Sequence, residues 1–339
     1  MGVLRSQISV KTSLRRFINL LLLGVLTFTL TSACSRNINF NFSVTSPKQP
    51  KQDCRVVQHM MGKTCIPRNP QRVVTLWMGT FRSALALDIK PITTAWYAGD
   101  SFPEHLQGKT DGVENIGFQP NLEKILLLKP DLILSTTRFK NIYKQLSDIA
   151  PTVVLDNPSP PPPWQKHLED VAQILNKEQE SKQLIKDYWQ RIEQLKQALG
   201  VGAASPKENR RNQLQVSVAT VDQTYGIYTY GTKHPTGKVL NDIGLQRPIS
   251  QNGDFFTKDN ISYENLSDID GDVLFLSYRG GKAAKEALEK LQQNPLWQKL
   301  NVVQKNQVYL VDSDHWYAFD VLAMNAVIND LFKYLVEKP

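Results

Sequence analysis

The stretch that decides the fold runs from residue 122 to residue 135: Leu-Glu-Lys-Ile-Leu-Leu-Leu-Lys-Pro-Asp-Leu-Ile-Leu-Ser. Its first half, residues 122–128, carries apolar side chains at helical spacing and predicts a helix. Its second half, residues 132–135, is a short apolar run without the alternating polarity of a half-exposed strand. Such a run is typical of a buried strand in a parallel sheet. A helix followed by a buried strand indicates a β/α domain.

The same alternation continues on both sides of this stretch. Short β-rich runs predict further strands at residues 73–77, 92–96 and 152–155, and apolar spacing predicts helices at residues 83–87 and 142–149. Together these segments form one β/α lobe.

A stiff connector and a long helix follow the first lobe. Residues 158–164, Pro-Ser-Pro-Pro-Pro-Pro-Trp, are typical of a polyproline connector. A short helix is predicted over residues 168–175 and a longer one over residues 177–199. At about 1.5 Å per residue the longer helix spans about 35 Å, which is enough to connect two lobes.

The pattern then starts again. Strands are predicted at residues 215–219, 273–276 and 308–311, and helices at residues 238–243, 285–291 and 321–336. The predicted fold class is therefore α/β, with two β/α lobes of mainly parallel sheets joined by one long bridging helix. The cleft between the lobes is the natural ligand site.

The N-terminal segment predicts export. An apolar run over residues 17–30 follows Arg15 and Arg16 and ends in small residues before Cys34. The run is about half of the roughly 20 residues that a bilayer crossing needs, which favours a cleaved signal over a membrane span. It resembles a bacterial lipoprotein signal, although Thr31 stands where Leu is usual. The resemblance implies that Cys34 is lipidated and becomes the first residue of the mature chain.

The chain is accordingly divided into a signal peptide (1–33), a lipidated tether (34–53), an N-terminal lobe (54–160), a connector with the bridging helix (161–200) and a C-terminal lobe (201–339). Cys54 and Cys65 flank a short segment that could form a hairpin. In an oxidising compartment so close a pair indicates a disulfide. The alternative, a metal site, would need more ligands than the neighbouring His59.

The charge balance argues against nucleic acid as a partner. Four of the 40 basic residues and none of the 32 acidic ones precede Cys34, which leaves 36 basic residues against 32 acidic ones. This small excess is spread along the chain without a basic block. It is compatible with a mildly positive cleft for an anionic ligand.

Several runs identify a resemblance to a known family. Residues 117–134 closely resemble the signature of the substrate-binding proteins that feed iron-siderophore and cobalamin ABC importers. Matching runs occur in the same order at residues 70–74, 261–266, 294–297 and 307–309. The resemblance covers residues 54–337 and implies a binding protein that is not an enzyme and needs no cofactor. Within the family the chain looks most like the ferric dicitrate and hydroxamate-siderophore binders.

The resemblance and the strand order together suggest the ligand contacts. A ferric chelate presents anionic oxygens around an iron whose coordination shell is already filled, so a binder supplies cations and flat apolar faces. Arg138 and Arg279, termed here the cleft arginines, can donate forked, charge-assisted hydrogen bonds. Arg82 is a further candidate, unless it lies on the outer face of its helix. The remaining candidates follow strands, where aromatic rings can pack on the ligand; they are Trp77, Trp96, Tyr97, Thr136, Tyr228, Tyr230, Tyr278 and Trp316.

Two glutamates have another expected role. In the family that this chain resembles, one Glu at each lobe tip pairs with permease arginines, and Glu123 and Glu264 occupy the matching motif positions. They are termed here the docking glutamates. The alternative is that each only stabilises the first turn of a helix through the helix dipole.

The expected partners are a ferric siderophore or ferric citrate-type molecule, an ABC permease with its ATPase, and the membrane, through the lipid anchor. A monomer on the periplasmic side of the cytoplasmic membrane of a bacterium is expected, without nucleic acid. A cobalamin or haem binder on the same scaffold remains an alternative. A metal-ion binder would need three or four converging His and carboxylate ligands, and no strand end in the first lobe carries a His. A hydrolase would need a nucleophile motif, and there is no Gly-x-Ser-x-Gly.

Overall fold

The structure is a computed structural model that describes residues 54–95, 102–202 and 214–337. The predicted signal peptide and tether, with Cys34, and the candidate contacts Trp96 and Tyr97 lie outside these residues. No helix within the described ranges has both the length and the apolar character that crossing a bilayer requires.

The described chain begins with an antiparallel hairpin of β1 (Cys54–His59) and β2 (Gly62–Pro67). Gly62 sits at its turn with φ at +125°, a conformation that side chains other than glycine rarely adopt. A disulfide joins Cys54 to Cys65 across the two strands. The hairpin lies beside the first large sheet, because Met60 N–H donates to the Val154 carbonyl at 3.1 Å.

The N-terminal lobe is built on a five-stranded sheet in which every pairing is parallel, in the order β5-β4-β3-β6-β7. Leu132 and Leu134 of β6 pack into one apolar cluster and Ile133 into another, so the strand is buried on both faces. This explains its continuous apolar sequence. The elements are β3 (Val73–Thr75), α1 (Met78–Ala86), β4 (Thr93–Thr94), β5 (Glu114–Asn115), α2 (Leu122–Leu127), β6 (Leu132–Thr136), α3 (Tyr143–Ile149) and β7 (Thr152–Leu155). Short 3-10 helices occupy Glu104–Leu106 and Thr137–Ile142.

Two helices connect this lobe to the next, α4 (Trp164–Leu175) and α5 (Glu178–Leu199). The 22 residues of α5 correspond to a rod of about 33 Å. Its Tyr188 lies edge-on to Trp164 of α4, with 4.9 Å between ring centroids, and donates its hydroxyl to Asp242 Oδ2 at 2.8 Å. Burial, followed by the Asp242 charge, raises the pKa of Tyr188 and keeps this donor protonated. The bridging helix is thus fixed to both of its neighbours.

The C-terminal lobe has a second five-stranded sheet in the order β10-β9-β8-β11-β12. Strands β8, β11 and β12 pair in parallel, whereas β9 pairs antiparallel to both β8 and β10. The elements are β8 (Val216–Asp222), β9 (Gly226–Tyr230), α6 (Pro235–Ile243), β10 (Thr257–Lys258), β11 (Val273–Arg279), α7 (Gly281–Gln293), α8 (Asn301–Gln304), β12 (Val308–Leu310), α9 (Ser313–Trp316) and α10 (Val321–Leu335). Short 3-10 helices occupy Ile249–Gln251, Tyr263–Ile269 and Trp297–Lys299. The predicted class of two β/α lobes with mainly parallel sheets and one bridging helix is confirmed.

Helix α10 also contributes to the junction of the lobes. It packs against α5, where Arg191 Nη1 donates to Asn325 Oδ1 at 2.9 Å. Its Leu322 packs against a buried cluster of the N-terminal lobe that contains Phe81 and Leu106. Helix α10 of the C-terminal lobe therefore contacts both the bridging helix and the N-terminal lobe.

Candidate ligand-binding cleft

A cavity of about 690 Å³ opens between the two lobes. On the N-terminal side it is lined by Met78 and Arg82 of α1, the helix that follows β3. On the other side it is lined by the β8–β9 turn, by the end of β11 and by the segment after β12. The carboxyl ends of parallel strands therefore supply most of this wall, as expected for open α/β sheets.

A smaller pocket of about 50 Å³ adjoins the cavity and shares Met78 with it. It belongs to the N-terminal lobe. Its lining combines apolar rings with one cation, and comprises Leu76, Trp77, Met78, Ala95, Phe118, Arg138, Phe139 and Asn157. Trp96 and Tyr97 follow Ala95 directly in the sequence, but their positions are not among those described.

Each cleft arginine lies over an aromatic ring. The guanidinium carbon of Arg138 is 4.4 Å from the centroid of the Phe118 ring, and that of Arg279 is 4.1 Å from the centroid of Tyr317. A ring at this distance attracts the cation and limits its rotamers without removing its charge. The cavity and the adjoining pocket thus each hold a positioned arginine, one from each lobe.

Arg82 faces inward and joins the lobes. Its Nη1 is 3.2 Å from Asp320 Oδ2, and both side chains are 1% exposed. The same Nη1 donates to the Asp314 carbonyl at 3.2 Å. Asp320 Oδ1 in turn accepts from Ala323 N–H at 3.0 Å and caps α10. The alternative position of Arg82 on the outer face of its helix is therefore wrong.

Two aspartates also line the cavity. Asp222 accepts from the backbone N–H groups of Thr224 and Tyr225, at 2.6 and 3.0 Å, and so holds the β8–β9 turn. Burial, and then the Asp312 charge, raises the pKa of Asp314, which favours its neutral form. The charge of Arg82 is balanced by Asp320. The two cleft arginines are the groups of this lining that suit an anionic ligand.

Two predicted contacts are wrong because their side chains have no exposed surface. Trp316 stacks on Phe275 with 4.6 Å between ring centroids, and its Nε1 donates to Asp330 Oδ2 at 2.8 Å. Tyr230 stacks on His234 at 3.8 Å, and its hydroxyl is 2.8 Å from Thr220 Oγ1. Both rings belong to the core beneath the cleft and support its wall from behind.

Three further candidates also lie away from the cavity surface. Thr136 is fully buried at the end of β6, and Tyr228 is 3% exposed between Tyr230 and Tyr317. Tyr278 is half-buried and packs against the apolar cluster on the α7 side of the sheet. Their neighbours in sequence, Arg138 and Arg279, reach the pockets instead. Of the described candidates, Trp77, Arg82, Arg138 and Arg279 line them.

Several residues that line the pockets were not predicted from the sequence. Tyr317 is one position beyond the run that ended at Trp316, and Phe118 lies inside the family signature, where it attracted no role. Tyr225 is exposed in the β8–β9 turn, and the predicted strands did not include β9. The Gly117-Phe118 pair was the one available signal, because an aromatic residue in a loop after a strand end is a candidate for contact.

The docking glutamates are both exposed and lie in the first turns of helical segments, one in each lobe. Glu123 lies in the first turn of α2, five residues after Phe118 in sequence. Glu264 lies in the first turn of a 3-10 helix. That helix follows Ile261, whose N–H donates to Ile227 O next to the β8–β9 turn. Hydrogen bonds from its own backbone N–H and from the Ser262 hydroxyl lower the pKa of Glu264 and keep it charged.

One group of His and acidic side chains in the described ranges converges closely enough to hold a metal ion, namely His105, Asp312 and His315. No metal ligands were predicted from the sequence, because no strand end of the first lobe carries a histidine. His105 comes instead from the 3-10 helix Glu104–Leu106. This cluster lies beside the cavity wall that Ser313 and Asp314 form.

The chain is similar over most of its length to proteins that bind ferric chelates. It is 32% identical to the Fe(3+)-citrate-binding protein YfmC of Bacillus subtilis, with 86% of this chain and 87% of that protein covered. It is also 32% identical to the probable siderophore-binding lipoprotein YfiY of the same organism, with 96% and 99% covered. Staphylococcus aureus SirA, solved with staphyloferrin B, superposes with a TM-score of 0.67 at 26% identity, covering 83% of this chain and 98% of SirA.

A family model described as "Periplasmic binding protein" matches residues 89–315. The family match and the names of the relatives confirm the expected resemblance. The family and the named relatives are binding proteins and not enzymes. The lobes and the cleft between them have the architecture that such a protein needs. The chain belongs to the periplasmic binding protein family.

Proposed function

We propose that this protein is exported and lipid-anchored, that it captures a ferric siderophore or ferric citrate-type chelate in its cleft, and that it delivers the chelate to an ABC import permease. The observation that carries the proposal is the pair of cleft arginines. They come from different lobes, each is positioned on an aromatic ring, and they line two pockets that adjoin at Met78.

The chemistry of a ferric chelate matches these groups. Its carboxylate, hydroxamate or catecholate oxygens are anionic, and an arginine fork can donate to two of them at once. The iron needs no protein ligand because the chelator fills its coordination shell. Trp77, Phe118, Tyr225 and Tyr317 supply the flat apolar faces that pack on the chelator backbone. The names of YfmC and YfiY support this class of ligand.

The volume of the cleft supports a small chelate. The cavity of about 690 Å³ lies within the roughly 300–1,000 Å³ that small-molecule sites usually offer. The ligand would contact Arg279 in the larger cavity and Arg138 at its N-terminal extension.

Delivery would use the docking glutamates. Both are exposed acids at the start of helical segments, one in each lobe. A permease that presented one arginine to each docking glutamate would hold the cleft of the binding protein over the entrance of the permease. Lipidation at Cys34 would keep the protein at the periplasmic side of the cytoplasmic membrane, and the name of YfiY as a lipoprotein supports this anchor.

An absorbance and fluorescence titration tests the ligand class. Purified protein is titrated with ferric citrate, a ferric hydroxamate, haemin and cobalamin, and with each chelator without iron as a control. We expect saturable binding of a ferric chelate and a weaker response to the iron-free chelator. Binding of haemin or cobalamin alone would favour the alternative ligands on this scaffold, and no binding of any ferric chelate would refute the proposal.

A further inference from the structure

Three potential metal ligands from both lobes meet beside the cleft. His105 belongs to the N-terminal lobe, on the 3-10 helix between β4 and β5. Asp312 and His315 belong to the C-terminal lobe, in the segment that follows β12. One ligand atom from each of the three lies within 4.8 Å of the other two. His105 is about 200 positions from the other two in the sequence, and the packing of the lobes brings it to them.

The hydrogen bonding of His315 leaves one nitrogen directed toward this group. Its Nε2 is 2.7 Å from Asp330 Oδ2, whereas its Nδ1 is 3.7 Å from Asp312 Oδ2, which is too long for a hydrogen bond. A carboxylate behind a histidine is the usual outer partner of a metal-binding imidazole, because it fixes the tautomer and ring orientation. Asp330 therefore orients His315 as metal sites require.

Buried nitrogens without partners point to the same place. His315 Nδ1 and both ring nitrogens of His105 are buried and have no hydrogen-bond partner among the residues that the structure describes. Leaving such groups unsatisfied is costly, and buried polar atoms are normally paired. A bound cation would satisfy one nitrogen of each ring at once.

Two carboxylates flank His315. Asp330 Oδ2 is 2.7 Å from its Nε2, and Asp312 Oδ2 is 3.7 Å from its Nδ1. Negative charge at this side of the cluster attracts a cation.

We propose that His105, Asp312 and His315 bind a divalent transition-metal ion, with Zn²⁺ the best match, and that the ion joins the two lobes beside the cleft. Two imidazoles and one carboxylate are a ligand set that Zn²⁺ accepts, with a fourth position open to water. Metal–ligand bonds of about 2.1 Å place tetrahedral donors about 3.4 Å apart. The present atoms lie within 4.8 Å of one another, so they need to approach by at most about 1.4 Å to reach that spacing. Ser313 and Asp314, between two of the ligands, line the cavity, so the ion would also fix that wall.

Calorimetric titration of Zn²⁺ into the full chain, purified without an affinity tag and stripped with EDTA, tests this site. We expect one ion per protein and a rise in melting temperature with Zn²⁺. His105→Ala and Asp312→Asn should each weaken binding tenfold or more and abolish that rise. Asn at position 312 can still accept from Asp314 N–H, so the cap of α9 is retained. His59→Ala, on the hairpin away from the site, is the matched control and should bind as the parent does.

A second readout separates ligation from general destabilisation. Co²⁺ in place of Zn²⁺ should give a visible absorption band in the parent and in His59→Ala that is lost in His105→Ala. Asp330→Asn should weaken Zn²⁺ binding by about 10- to 100-fold, the usual effect of removing an outer partner. Absence of one-to-one binding to the parent would overturn the proposal. So would parent-like affinity in both His105→Ala and Asp312→Asn.

Discussion

The buried ion pair between Arg82 and Asp320 should be a major source of cohesion between the lobes. Its atoms are 3.2 Å apart and both side chains are 1% exposed. At that separation the attraction is about 5 kcal/mol for an effective dielectric constant of about 20. Removal of one partner from a buried pair typically costs about 3–5 kcal/mol, because the other charge is left uncompensated. We expect Arg82→Met to lower the free energy of unfolding by about that amount.

Urea unfolding followed by far-UV circular dichroism measures this cost. The double variant Arg82→Met with Asp320→Asn should lose less stability than the sum of the single variants, because no charge stays buried and Asn can still cap α10. Lys144 and Asp148 form a matched control, since their charged atoms are also 3.2 Å apart but the side chains are 87% and 66% exposed. Lys144→Met should leave stability unchanged within error. Equal losses at the two pairs, or strict additivity in the double variant, would refute the reasoning.

Three further predictions concern capture, delivery and export. Alanine at either cleft arginine should weaken binding of the ferric chelate by about 1.5–3 kcal/mol, the contribution of a hydrogen bond to a charged group. Titration measures the change in affinity, and unchanged affinity would show that the arginine is not part of the site. Alanine at both docking glutamates should leave ligand affinity intact but slow uptake. The defect should be larger at low salt, where charge steering is strongest. Equal uptake by the parent and the double variant, in cells with the cognate permease, would contradict docking. Cys34→Ser should abolish membrane retention, which fractionation measures, and Cys54 and Cys65 should stay unreactive to thiol reagents after unfolding without reductant.

The fold was largely predictable because buried parallel strands are apolar throughout and so stand out in a sequence. The runs around Val74, Ile133 and Val154 became β3, β6 and β7, which lie side by side from the centre of the first sheet to its edge. Strand β9 was missed because Gly226–Tyr230 is short and aromatic and directly follows β8 through a tight turn. Its antiparallel pairing depends on that turn, which periodicity alone does not reveal.

It was much harder to predict which side chains of a given segment reach the cleft. Trp316 and Tyr317 are adjacent near the end of one short helix, where successive side chains point about 100° apart. Trp316 enters the core and Tyr317 meets Arg279. Likewise Tyr278 and Arg279 lie on β11, which extends three residues beyond the predicted end at residue 276, and their side chains alternate between its two faces. The sequence therefore predicts which segments border the cleft, whereas the packing of the folded chain decides which of their side chains face it.

The continuous bridging helix has a practical consequence for sensor design. A pair of dyes on the two lobes reports binding only if the distance between them changes, and a rod of about 33 Å that is packed against both neighbours resists such a change. A single environment-sensitive dye at the rim, for example on a cysteine introduced at Thr224, would instead sense the ligand through local polarity. A sensor built on this scaffold for the ligand of the cleft should therefore use one fluorophore at the cleft mouth and not a resonance-transfer pair.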